Sequence, residues 1–146
     1  METGVAKIDN QHKELVNRLN AVITKGATAI SKEETQKTIV FLEEYVIKHF
    51  RDEEGLQKQC GYTKYEWHKE QHQIYIDNVK TMKEEFAANG PSVKFTVSLN
   101  TSLIHWIINH IRVVDVELGK FYKEHIQKQI NNGKRGQDKM AAQSGQ

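Results

Sequence analysis

The stretch YEWHKEQHQIY, Tyr65 to Tyr75, places His68 and His72 four residues apart in a run with neither glycine nor proline. A spacing of four puts two side chains on one face of a helix, one turn apart. Extended to Phe86, the stretch reads Tyr65, His68, His72, Tyr75, Val79, Met82 and Phe86, stepping by three and four. That is the period of a helix, and two imidazoles lie inside its apolar stripe.

The same rhythm recurs on either side. Ile8, His12, Leu15, Leu19 and Val22 form one stripe, and Ile39, Leu42, Val46, His49, Glu53, Leu56 and Cys60 form another. Leu99, Leu103, Trp106, His110 and Val113 form the last. Breaks at Gly26, at Cys60-Gly61-Tyr62 and at Asn89-Gly90-Pro91-Ser92 bound four segments, roughly 8–28, 33–60, 63–88 and 92–117. Ser31 with Glu34 has the spacing of a capping box, and Ser92 is placed to open the fourth helix. Strand-like alternation is missing. Four amphipathic helices with short connections predict an all-α, up-down-up-down antiparallel four-helix bundle. A short extra C-terminal helix near Leu118–Ile130 completes a domain of residues 1–130. The remainder, 131–146, lacks apolar periodicity and reads as a flexible tail.

Bulk properties agree with one globular domain. The chain has 146 residues, 38% hydrophobic and 27% charged, enough for a core without covalent staples. A formal net charge of +2, with no basic stripe, speaks against nucleic acid as a partner. Cys60 is the one cysteine, so no intrachain disulfide forms, which fits a reducing compartment. The N-terminus has no apolar signal core and no run approaches a membrane span, so a cytoplasmic protein is expected. Cys60, on the core rhythm of the second helix, reads as packing.

All four core stripes carry histidine. A lone histidine on an apolar face is usually a hydrogen-bonded core residue, and His105 and His125, off the stripes, take that bland reading. His12, His49, His68, His72 and His110 with Glu53 are different, because six buried polar groups need a shared partner. Imidazole with carboxylate suits iron, zinc or manganese. There are too many donors for one tetrahedral ion, and two metals bridged by carboxylates would use them all. Asp115 is less obvious. Five residues beyond His110, it points about 140° away on an ideal helix, so periodicity alone does not select it.

The motifs IDNQHKELV (Ile8–Val16), HFRDEE (His49–Glu54), HKEQH (His68–His72) and HIRVVD (His110–Asp115), in this order and each on its own helix, resemble those of the hemerythrin family, in particular its bacterial members. The resemblance runs from about Gly4 to about Phe121. It implies two non-haem iron ions with an oxo or hydroxo bridge. By the family pattern, His68, His72 and His110 hold one iron, His12 and His49 the other, and Glu53 and Asp115 bridge them. It also implies reversible dioxygen binding at an open position on the iron with two histidines, behind an apolar wall to which Phe50 and Trp106 are candidates. Two features depart from the family. Only eleven residues precede His12, so the aromatic-rich N-terminal arm is short or absent, and His105 stands where an apolar residue is common.

The leading expectation is an oxygen carrier, store or scavenger, and not an enzyme. Alternatives are a module sensing dioxygen, nitric oxide or redox state, and a di-iron enzyme handling peroxide or nitric oxide. Carboxylate-rich sites suit strong oxygen activation, whereas this set is histidine-rich. Oligomeric state is not legible in the sequence.

Overall fold

Local chemistry sets the helix ends. Ser31 and Glu34 close the predicted capping box: the Glu34 amide donates to Ser31 Oγ at 3.2 Å, and the Ser31 amide donates to Glu34 Oε2 at 3.3 Å. The helix they open, α2 (Lys32–Cys60), stops at Gly61, whose φ of 66° lies in the left-handed region that favours glycine. Gly61 and Tyr62 donate back to the carbonyls of the last turn. Helix α1 spans Ala6–Lys25 and α3 spans Tyr65–Asn89. Ser92 Oγ accepts from the Phe95 amide at 3.0 Å and starts α4 (Val93–Leu99). This computed structural model describes residues 2–25 and 31–144. The break at Gly26 and the side chain of Val22 lie outside the described residues.

From Val93 the chain is helical without interruption to Ser144. It passes through a π turn (Asn100–Ile104), α5 (His105–His110), a second π turn (Ile111–Asp115) and α6 (Val116–Ser144), with right-handed helical dihedrals at every junction. The extra helix expected near Leu118–Ile130 is α6, joined to the fourth bundle helix without a break; it is not short but continues to Ser144, through most of the segment expected as a flexible tail. Past Ile130 its described side chains are exposed. The first π turn also re-aims the fourth stripe. It admits one residue more per turn, so Leu103 and Ile104 are both buried, followed by Ile107, His110, Ile111 and Asp115. Val113, placed on the stripe by simple periodicity, is 60% exposed.

The helices pack as an antiparallel bundle, α1 on α2, α2 on α3, and α3 on the fourth. The core runs from Leu15, Leu19, Ile39 and Leu42 through Val46 and Phe50 to Tyr75, Phe95, Leu99 and Ile107. A smaller apolar cluster of Cys60, Tyr62 and Leu118, flanked by Leu56, Phe121 and Tyr122, fills the end beyond the polar residues. Cys60 packs there, as expected. Among the described residues no helix is long and apolar enough to cross a membrane.

The short N-terminal segment covers its end of the bundle by close backbone contact. Thr3 is buried and lies against Gly119, where a Cβ would fall 2.4 Å from the Thr3 Cα. Asp9 holds the segment in place, its carboxylate accepting from the Thr3 amide (2.7 Å), the Thr3 hydroxyl (2.8 Å) and the Gly4 amide (3.0 Å).

Candidate metal centre

Helix geometry delivers most of the polar cluster directly. His49 and Glu53 lie a turn apart on α2, His68 and His72 a turn apart on α3, and His12 faces them from α1. His110 and Asp115 need the second π turn. Over Ile111–Asp115 the chain closes i to i+5 bonds, so a residue five positions on returns to the same face. That turn removes the angular mismatch of an ideal helix and places Asp115 beside His110. All seven residues are buried, none more than 3% exposed.

The two carboxylates sit centrally, and each serves two sides. Asp115 Oδ1 lies 3.2 Å from His68 Nε2 and 3.1 Å from His110 Nε2, while Oδ2 lies 3.1 Å from His12 Nε2 and 4.0 Å from His49 Nε2. Glu53 Oε1 faces His12 Nε2 at 3.7 Å, and Oε2 faces His72 Nε2 at 3.4 Å and His49 Nε2 at 3.7 Å. Two donor groups result, Glu53–His68–His72–His110–Asp115 and His12–His49–Glu53–Asp115, each with its donor atoms within 4.8 Å of one another. Glu53 and Asp115 belong to both. The structure thus brings together every residue singled out in the sequence. His105 is exposed, and His125 bonds Gln129 at the surface; neither joins the cluster.

The electrostatics are those of a site built for cations. Both oxygens of Glu53 and of Asp115, and Nε2 of His12, His49 and His72, are buried without a hydrogen-bond partner. Left alone, such groups cost several kcal/mol each, on the order of 1–3 or more. Burial alone would raise Asp115, but His110, His12 and His68 hold its carboxyl well below the ordinary range. Burial and the Asp115 charge push Glu53 up to about 8. Burial opposes the charge on His12, yet the nearby carboxylates of Asp115 and Glu53 prevail and lift it to about 9. Burial dominates at His49, lowered to about 3, and at His72, lowered further still, with His68 and His110 adding repulsion. A pair of divalent cations would resolve all of these conflicts at once, by setting positive charge between the two carboxylates and occupying the free imidazole lone pairs. The donor set fits a di-iron cofactor.

Aromatic rings back the histidines. Phe50 stacks on His72, centroids 3.8 Å apart at 7°, and Trp106 stacks on His110 at 4.7 Å and 16°. Phe50 is buried and Trp106 half-buried, and Tyr75 closes the gap between them. A recess of about 290 Å³ lined by Glu2, Asp9, His12, Lys13, Val16 and Asn17 reaches His12 from the surface. Three residues that sequence reasoning left without a role adjoin the cluster, two by direct contact and one through Gln11. Gln11 Oε1 lies 3.1 Å from His49 Nδ1, Glu54 Oε1 lies 3.0 Å from His72 Nδ1, and Asp52 bonds Gln11. The available signal was their adjacency in sequence to His12 and Glu53.

Comparison with known proteins places these features in a family. The family model for the hemerythrin HHE cation binding domain matches residues 3–122. The chain is 29% identical over 133 residues to the bacteriohemerythrin of Stenotrophomonas maltophilia strain R551-3, covering 86% of this chain and 84% of that protein. It is 33% identical over 119 residues to the bacteriohemerythrin of Pseudomonas paraeruginosa strain PA7, covering 77% and 71%. Hemerythrin subunit alpha of Lingula anatina is 26% identical over 113 residues, covering 77% and 82%. No solved structure gives a significant match.

Proposed function

Because the chain belongs to the hemerythrin family, we propose that it binds dioxygen reversibly at its di-iron centre, as an oxygen carrier, store or scavenger and without catalytic turnover. The observation that carries this reading is the unequal division of histidines around shared carboxylates. His68, His72 and His110 would hold one iron and His12 and His49 the other, with Glu53 and Asp115 shared between them. The pair, when bound, supplies two electrons and a coordination position free of protein. The side with two histidines offers fewer protein donors, and the His12 recess approaches that side.

The remaining residues act on water and on geometry. Phe50, Trp106 and Tyr75 back the histidines with apolar surface, which keeps bulk water from the shared carboxylates. Dryness favours release of the ligand unchanged over its reduction.

The test is a spectroscopic cycle. The protein is loaded anaerobically with ferrous iron, freed of excess metal, exposed to air and then deoxygenated. A colourless reduced form that colours in air and bleaches on deoxygenation supports reversible binding. Immediate conversion to a stable diferric form that does not bleach contradicts it and favours the sensing or enzymatic alternatives.

A further inference from the structure

Two of the motifs that carry metal donors contain residues the donor set does not use: Gln11 in IDNQH, and Asp52 and Glu54 in HFRDEE. The structure links two of them to one histidine in a chain. Lys7 Nζ lies 2.7 Å from Asp52 Oδ1, Gln11 Nε2 donates to Asp52 Oδ2 at 2.7 Å, and Gln11 Oε1 faces His49 Nδ1 at 3.1 Å. The chain runs from a largely exposed ammonium to a fully buried imidazole.

The logic of donors and acceptors leaves one arrangement. An ionised carboxylate only accepts, so Asp52 must take the NH₂ of Gln11. The amide is then turned with its carbonyl toward His49. A carbonyl also only accepts, so the His49 nitrogen facing it must carry the hydrogen. Nδ1–H on one side leaves the lone pair on Nε2, the nitrogen that faces Glu53 and Asp115. His72 gets the same tautomer by a shorter route, since Glu54 accepts from its Nδ1 directly at 3.0 Å.

We propose that Asp52, which touches no donor histidine, is a positioning residue for the His12–His49 metal subsite, acting through the orientation of Gln11, while Glu54 does the same for His72 at the other subsite. This rests on the two-metal reading given above. It assigns the flanking residues a division of labour: an amide steered by a remote carboxylate serves one ion, and a carboxylate in direct contact serves the other.

The experiment loads the full chain with zinc(II), counts zinc per chain, and follows release to an excess of chelator. Two zinc ions per chain leaving in two separable phases is the expected behaviour of the unaltered protein. Asp52→Asn lets Gln11 turn either way and should speed one phase about tenfold, the scale of outer-sphere effects on metal affinity. Glu54→Gln should speed the other phase. The deciding variant is Gln11→Glu with Asp52→Asn. It restores an acceptor-only group beside His49 and a donor beside that group, with net charge unchanged, and should return the first phase to its original rate. A residue that merely fills space would not be rescued by this exchange. If Asp52→Asn proves unstable, the double variant decides alone.

Two zinc ions per chain with both phases unmoved by Asp52→Asn, with both phases moved equally, or with no rescue by the double variant, would overturn the relay. Fewer than two zinc ions in the unaltered protein would instead overturn the two-metal reading beneath it.

Discussion

Gly119→Ala should open the N-terminal cover. A Cβ there would fall 2.4 Å from the Thr3 Cα, 2.5 Å from its carbonyl oxygen and 2.8 Å from its carbonyl carbon. All three atoms are backbone, so no side-chain rotation relieves the clash, and Thr3 has to lift. Lifting it breaks the three bonds onto the Asp9 carboxylate. At about 1 kcal/mol net for each bond, the cost is about 3 kcal/mol. Replacing a helical glycine with alanine returns about 1 kcal/mol, which leaves a net loss of about 2 kcal/mol. For a chain of this size that lowers Tm by roughly 6 °C. Gly133→Ala is the control. It lies on the same helix with nothing within 4 Å of a Cβ, so it should show no loss. Thermal unfolding of both variants, with amide exchange at Thr3 to Asp9, is the assay. An unchanged Tm for Gly119→Ala, or protection of the N-terminal amides at its original level, would refute the contact as the means of covering that end.

Deleting Val113, an exposed residue of the second π turn, should relax it to ordinary α-helix and leave the aspartate four residues after His110, still on its face; two metals per chain should be retained, whereas inserting an alanine there should lose them. Loss of metal on deletion would contradict the alignment argument. Phe50→Ala removes a buried ring stacked on His72 and should cost about 3–5 kcal/mol in chemical denaturation, with faster oxidation of the loaded protein. His12, raised to about 9, and Glu53, raised to about 8, hold protons at neutral pH that a cation must displace. Calorimetric titration in buffers of differing ionisation enthalpy should therefore show proton release, and affinity should increase as pH rises from 6.5 toward about 9. For the metal-free protein, the stability from His12 is complete below 6.5 and lost as pH rises through about 9, while that from His49 is lost as pH falls from 6.5 to about 3.

The helices and most of the cluster were legible because both depend on a period of 3.6 residues. His49 with Glu53, and His68 with His72, stand four apart, and that spacing alone predicts a shared face. Asp115 was not legible from periodicity, since its alignment with His110 comes from a π turn that no residue in IRVVD announces; the resemblance to the family supplied it. The first π turn hid the true fourth face in the same way, moving burial from Val113 to Ile107 and Ile111. The cover at Thr3 depends on a glycine more than a hundred residues away, a pairing that only the folded chain brings about. Gln11, Asp52 and Glu54 read as ordinary polar residues on α1 and α2. Their roles appear only when the neighbouring helix presents the second ring nitrogen of a histidine.

Anomalous diffraction at the iron edge from crystals of the loaded protein tests the central claim most directly. Two iron peaks are expected inside the bundle, one bordered by His68, His72 and His110 and the other by His12 and His49, with Glu53 and Asp115 reaching both. A single peak, or iron held away from these seven residues, would contradict the account.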